Sequence, residues 1–147
     1  MIAIDTNILV YGHRADAPFH HDAARALRRA AEGDVPWAIP WPCLHEFLAK
    51  VTHPRIFKQP TPLARAIEQI REWLRSPSAQ VLGEPEGYLD VLVDVLLEAQ
   101  AAGAQVHDAR IAAVCIAHGV DELWSADRDF GRFSRRLRVR NPLSARP

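Results

Sequence analysis

Apolar residues along this chain recur with two periods, and the alternation between them lays out the elements. Ile2, Ala3 and Ile4 make a short apolar run that stops on Asp5, the pattern of a strand buried on both faces. Asn7–Arg14 reads as a short helix, and His20–Ala31, rich in Ala and Arg, as a second one stopped by Gly33. Trp37–Pro40 is a second strand. Leu44, Phe47, Leu48 and Val51 then fall at helical spacing, which predicts a helix over about Pro42–Thr52 ended by Pro54. The loop HPRIFKQPTP, with its three prolines, leads to a helix over about Leu63–Arg75, where Ile67, Ile70, Trp73 and Leu74 share a face. Ala79–Leu82 is a third strand. Tyr88–Ala102 is a helix apolar nearly all round, and so expected to be well packed. Asp108–His118 is a further helix, with Ile111, Val114, Cys115 and His118 along one side. Leu123–Ser125 is a fourth strand and Leu137–Val139 an edge strand.

Strands alternating with helices predict the α/β class, as a three-layer α/β/α sandwich around a short, mostly parallel sheet of about five strands. There is no internal repeat, low-complexity segment or linker, so one domain over residues 1–147 is expected. Strand order is not legible in the pattern.

Composition narrows the setting. With 48% apolar and 24% charged residues the chain is an ordinary globular one, and 147 residues bury a sizeable core without disulfides. Cys43 and Cys115 lie far apart with no CxxC spacing, and read as small buried hydrophobes of a reducing cytosol. Asp5 breaks the N-terminal apolar stretch at once, and Asp94 and Glu98 interrupt the most apolar region, Val91–Val106. Neither a signal peptide nor a membrane span is expected, and the location read from this is cytoplasmic.

The net charge of zero hides an asymmetry. Residues 76–127 carry nine acids against the single base Arg110, whereas residues 128–147 carry seven Arg against Asp129 alone. A neutral average therefore leaves room for a nucleic-acid partner, since phosphate recognition needs only a local basic patch. Arg128 and Arg132 directly follow the last acidic motif and are the candidates for holding flanking phosphates. The competing reading of this arginine run is a solvated edge that keeps a terminal strand from aggregating. Trp37, Trp41, Trp73 and Trp124 read as core or interface residues, not base-stacking platforms.

Four acids carry the chemistry. Asp5 ends the first strand, and Glu46 lies in the first turns of the helix after the second. Asp108 opens a helix after the loop 103–107, and Asp127 follows the fourth strand in WSADRDF. Carboxylates at the ends of parallel strands and their following helices can point into one crevice. Two of them about 4 Å apart repel by roughly 4 kcal/mol at an effective dielectric of about 20. Such a cluster needs shared protons or a divalent cation, and all-oxygen ligands select Mg²⁺ or Mn²⁺ over zinc. Each acid also has a plain structural reading: Asp108 as a helix cap, Asp127 and Asp129 as a solvated turn, Glu46 on an exposed helix face.

The succession IDTNILVY, PWPCLHEF, HDARIAAVCIAHG and LWSADRDF spans the chain and resembles the PIN-domain ribonucleases, more narrowly the VapC toxins of bacterial VapBC toxin–antitoxin pairs. The resemblance implies that Asp5, Glu46, Asp108 and Asp127 are catalytic, with Asp5, Asp108 and Asp127 as metal ligands. It implies that Asn7 and Ser125 orient those carboxylates by hydrogen bonds, and it leaves Asp129 ambiguous. The activity implied is a Mg²⁺-dependent endoribonuclease, with Mn²⁺ a plausible substitute, in which an activated water opens an RNA phosphodiester to a 5′-phosphate and a 3′-hydroxyl. It implies a homodimer with apolar contacts from about residues 42–75. It also implies a small VapB-like antitoxin whose C-terminal segment covers the acidic crevice, placing a basic side chain among the carboxylates. The alternatives are a PIN nuclease of RNA processing without an antitoxin, and a non-catalytic PIN module binding RNA or protein, against which the four retained acids weigh. A phosphatase of the haloacid dehalogenase type needs a second Asp two residues after the first, and Asn7 stands there.

Overall fold

Five short strands, Ile2–Ile4 (β1), Trp37–Pro40 (β2), Ala79–Leu82 (β3), Glu122–Trp124 (β4) and Arg138–Arg140 (β5), all pair in parallel in the order β3-β2-β1-β4-β5. This computed structural model describes residues 1–143, so the last four residues of the expected domain lie outside the described residues. The chain builds outward from β1 to β3 on one side, then crosses to lay β4 and β5 on the other. Strand order thus reverses at β1, and the two strands flanking the reversal, β1 and β4, run in register from Ile2 opposite Glu122 to Ile4 opposite Trp124. In open parallel sheets a crevice forms beyond the carboxyl ends at such a point.

Among the described residues, six helices flank the sheet: Thr6–His13 (α1), His20–Glu32 (α2), Trp41–Val51 (α3), Leu63–Leu74 (α4), Tyr88–Ala99 (α5) and Gln105–Ala117 (α6). A short 3-10 turn, Arg128–Phe133, follows β4. Every residue of β2 is buried, as are Ala3 and Ile4 of β1, which accounts for the unbroken apolar runs. On α2, Ala23, Ala26, Leu27 and Ala30 are buried and the arginines face outward, the narrow amphipathic stripe expected of a surface helix. Gly12 of α1 faces Leu27 and the Ala23 backbone, so these two helices approach closely. Ile8, Leu9, Leu44, Phe47 and Leu123 join the sheet in one core, each contributing about 1.5–3 kcal/mol by burial.

Three expectations are corrected. The helix expected over Tyr88–Ala102 ends at Ala99, because Gln100 takes a left-handed conformation (φ 49°) and returns its N–H to the carbonyls of Leu96 and Leu97. The next helix begins at Gln105 instead of Asp108: after Gly103 turns the chain at φ 58°, the Gln105 side chain accepts the Ala102 N–H at 3.2 Å and closes the first turn early. Third, α5 is not well packed. Only Val95 is buried, whereas Leu89, Val93 and Leu97, four residues apart in succession, are exposed along one line. Of the four tryptophans, Trp37 and Trp124 are buried and Trp73 is half-buried, but Trp41 is 45% exposed.

Among the described residues no helix is long and apolar enough to cross a membrane. The proline-rich loop is held by Arg14, a nearly buried cation at the end of α1. Its guanidinium donates to the Gln59 carbonyl at 2.9 Å and to Thr61 Oγ1 at 3.1 Å, pairs with both oxygens of Asp16, and lies 4.2 Å over the Phe57 ring. Arg14→Ala leaves the Gln59 carbonyl and Thr61 without these donors, so unfolding free energy is expected to fall by about 2 kcal/mol, read by urea denaturation. Limited proteolysis should show faster cutting within residues 54–62.

Candidate active site

The crevice at the reversal is built from the ends of β1 and β4 and the starts of the helices that follow. Because α1 begins immediately after β1, Asp5 is its N-cap, and its Oδ1 accepts the Thr6 N–H at 2.7 Å. Oδ2 accepts Asn7 Nδ2 at 2.8 Å and Ser125 Oγ at 2.6 Å. The Cys43 thiol approaches Oδ1 at 3.8 Å from below. Ser125 follows β4 and receives Asn7 Nδ2 at 3.2 Å and the Asp127 N–H at 3.0 Å, while Asn7 Oδ1 accepts the Ala126 N–H at 3.1 Å. Asn7 and Ser125 are thus the pair that clamps the Asp5 carboxylate between the two strands.

Glu46 arrives from the second turn of α3, which follows β2 without a loop; Pro40 closes the strand and Pro42 stands in the first turn of the helix. Its Oε2 accepts Thr6 Oγ1 at 2.8 Å and its Oε1 pairs with Lys50 at 2.8 Å, one helical turn on. Asp108 sits in the first turn of α6 as its fourth residue, so it does not cap that helix. Asp127 caps the 3-10 turn instead, accepting the Asp129 N–H at 2.8 Å.

These residues meet. Asp5, Glu46, Asp108 and Asp127 all line one small cavity of about 50 Å³, together with Thr6, Asn7, Lys50 and the apolar walls Ile111 and Phe130. Carboxylate oxygens of Asp108, Asp127 and Asp129 lie within 4.8 Å of one another, close to the roughly 4.2 Å that spans a Mg²⁺ shell of about 2.1 Å radius. Asp129, ambiguous in the sequence, therefore belongs with the cluster. Burial pushes the Asp5 carboxyl up to about 6, aided by the charges of Glu46 and Asp127 and opposed by the bonds from Ser125 and Thr6. Burial and the charges of Asp127, Asp129 and Glu46 likewise raise Asp108. Burial also acts upward on Glu46, but the bonds from Lys50 and Thr6 outweigh it and hold that carboxyl below its ordinary value. The donor set suits a hard divalent cation: oxygens only, mutually repelling, with the one nearby ammonium already engaged by Glu46.

Arg128 and Arg132 flank the cluster on the 3-10 turn, and Arg132 lies close enough to Asp108 to moderate its shift. Sequence reasoning missed Lys50, Thr6 and Cys43. Lys50 carried a signal, its spacing of four from Glu46 on a helix. Thr6 and Cys43 carried none, because their contacts depend on how α3 packs over the end of β1.

The PIN domain family model matches residues 2–136. The chain belongs to the PIN-domain family. It is 37% identical over 143 residues to the ribonuclease VapC43 of Mycobacterium tuberculosis, covering 97% of this chain and 96% of that one. It is 31% identical to VapC48 of the same organism, over 95% and 96% of the two chains. Among solved structures, the PIN fold here is like that of FitAB bound to a DNA fragment, with a TM-score of 0.71 at 17% identity over 100% and 99% of the chains. The Mycobacterium tuberculosis VapC20, described as a sarcin–ricin loop cleaving toxin, gives 0.66 at 20% identity over 96% and 100%. These neighbours agree with the expected α/β PIN architecture.

The raised Asp5 carboxyl has a signed consequence for the metal-free PIN domain. Folding favours its protonated form, so the associated stability is present below the ordinary value near 3.8 and is lost as pH rises through about 6. In EDTA, wild type should lose roughly 3 kcal/mol of unfolding free energy between about pH 4 and about pH 7 from this group. Urea denaturation of Asp5→Asn should show a visibly flatter profile, and equal slopes for the two proteins would contradict the assignment.

Proposed function

We propose that this chain is a metal-dependent endoribonuclease and the toxin of a type II toxin–antitoxin pair, acting in the cytoplasm as one PIN unit. The observation that carries the reading is the convergence of Asp5, Glu46, Asp108 and Asp127 on one cavity at the carboxyl edge of the sheet. The relatives at 31–37% identity are named VapC ribonucleases, and a structural neighbour is the VapBC2 complex of Rickettsia felis on promoter DNA. These support an RNA substrate and a VapB-like antitoxin for this chain as well.

In this reading Asp5, Asp108 and Asp127 hold Mg²⁺, which Mn²⁺ can replace, with Asp129 within reach of the same ion. When bound, the cation lowers the pKa of water and neutralises charge developing on the phosphate. The chain's own contribution is orientation and proton handling. Asn7 and Ser125 fix the Asp5 oxygens, while Thr6 and Lys50 fix those of Glu46. An ionised carboxylate of the cluster accepts the proton that the attacking water gives up. Arg128, whose guanidinium has no ion-pair partner among the described residues, stands beside Asp127 to meet a flanking phosphate, with Arg132 one turn on. A basic side chain of the antitoxin satisfies the same carboxylates and so inhibits. A homodimer completes the reading; Leu63, Ile67 and Leu74 of α4, within the 42–75 region, are exposed apolar side chains available for it, and the α5 line adds to them.

A labelled RNA should be cut with Mg²⁺ and left intact in EDTA, with Asp108→Asn and Asp5→Asn each lowering the rate by at least about a hundredfold and Asn7→Ala by about ten- to a hundredfold. Expressed alone in a bacterium the chain should arrest growth, and co-expression of the neighbouring antitoxin frame should relieve it. Cleavage that persists in EDTA would sink the metal-dependent reading.

A further inference from the structure

The acidic cavity opens into a larger groove that the proposed chemistry leaves unexplained. Pro42, His45, Glu46 and Ala49 of α3 face His107 and Asp108 of α6 across about 600 Å³, a volume in the range of small-molecule and nucleobase sites. Glu46 and Asp108 line both spaces, so the groove is continuous with the acidic cluster. Trp41, not itself a lining residue, stacks on His45 from one helical turn away, ring centroids 5.7 Å apart and planes 30° from parallel. Trp41 is the most exposed of the four tryptophans and belongs neither to the buried core nor to the apolar shell around it. The ring nitrogens of His45 and His107, like those of His21, have no hydrogen-bond partner among the described residues, whereas both of His13 and one each of His20, His53 and His118 are engaged.

We propose that this groove is a nucleobase subsite, in which a base next to the scissile phosphate of single-stranded RNA stacks on the Trp41–His45 pair and offers its edge to His45 and His107. The inference rests on the ribonuclease reading above and adds how the substrate is gripped. The lining favours a base over a phosphate. Its one arginine, Arg110, is held by Glu84 at 2.6 Å, and the neighbouring carboxylates repel phosphate oxygens. Phosphates find their cation on the opposite flank, where Arg128 and Asp127 line a separate depression of about 370 Å³. Asp5 is buried and Glu46 and Asp108 are half-buried, so a phosphodiester drawn down to them pulls its neighbouring base out of the strand's stack, and an aromatic pair beside the cavity recovers that stacking. The spacing is favourable: Trp41, His45 and Ala49 follow at intervals of four along α3, on the side next to Glu46.

The test uses the full chain and a short mixed-sequence single-stranded RNA, with Ca²⁺ in place of Mg²⁺ for binding and Mg²⁺ for turnover. Trp41→Ala and His45→Ala should each weaken binding roughly five- to a hundredfold and raise KM more than they lower kcat, with circular dichroism unchanged. Trp41→Phe should restore affinity while losing the fluorescence quenching that RNA produces in wild type. A strand lacking the base beside the scissile phosphate should bind wild type more weakly by the same factor, yet bind Trp41→Ala no worse than the intact strand does. If wild type cleaves RNA but these variants keep its KM and abasic strands bind equally, the subsite is wrong and the nuclease reading survives. If the variants lose affinity for the antitoxin alone, the groove is a protein site and the proposal is overturned. A wild-type chain that neither binds nor cleaves RNA sinks both.

Discussion

A single carboxylate, Asp5, couples the fold to the site. At 4% exposure it is buried deeply enough that an unbonded charge there would cost several kcal/mol. Ser125, Asn7 and the Thr6 N–H supply the donors that make its burial tolerable. Those donors come from both sides of the reversal in strand order: α1 follows β1, and Ser125 follows β4. The same bonds therefore fix the two strand ends against each other and aim the carboxylate at the cavity. Ser125 extends the link by receiving the Asp127 N–H, so a second acid is set by the hydroxyl that holds the first.

Neutral donors satisfy the geometry of Asp5 without cancelling its charge, and the cluster is electrically unbalanced as a result. The directions of the shifts show where. Glu46, joined to Lys50 and Thr6, is held below its ordinary value despite half-burial. Asp5 and Asp108 are raised, with neighbouring carboxylates among the causes. The cavity thus has a compensated wall at α3 and an uncompensated one formed by β1, α6 and the turn after β4. A cation entering from solvent gains most on that second wall, where the Asp108, Asp127 and Asp129 oxygens are nearest one another. Lys50 is placed so that the fourth acid stays oriented without adding its full charge to the repulsion.

Much of this was legible in the sequence because it was local. An apolar triplet ending on Asp5, strands of three or four residues, and helices marked by spacing all describe what neighbouring residues do. The five strands and their parallel arrangement followed from that alternation. Strand order did not, since nothing within β1 says whether β2 or β4 lies on either side. Helix ends slipped where a side chain intervened, as when Gln105 closed α6 three residues ahead of Asp108. The near-continuous apolarity of α5 suggested deep packing, but one chain offers the helix only the side containing Val95, and Leu89, Val93 and Leu97 stay outside. Trp41, read as core or interface, is not core for a related reason: a tryptophan opening a helix after a buried strand looks buried, and only the turn of α3 leaves it 45% exposed.

Among the described residues, three arginines near the end of the chain pair with the acidic middle, which weakens that end as a general polyanion patch. Arg136 reaches Glu98 at 2.7 Å and Asp94 at 3.4 Å on α5, and Arg138 and Arg140 both approach Glu122 within 3.9 Å. Such exposed pairs add little stability, but they cancel the long-range field that the sequence separates into blocks. What remains close to the acidic cluster is Arg128 and Arg132, too few to bind RNA tightly by counterion release alone. On the proposed reading a strand is therefore held by contacts of short range: a cation among the carboxylates, one or two guanidinium–phosphate bonds, and ring faces. Specific placement of a phosphodiester then follows from shape and stacking more than from charge, which is the regime in which a nuclease distinguishes a folded or looped RNA from the bulk of cellular nucleic acid.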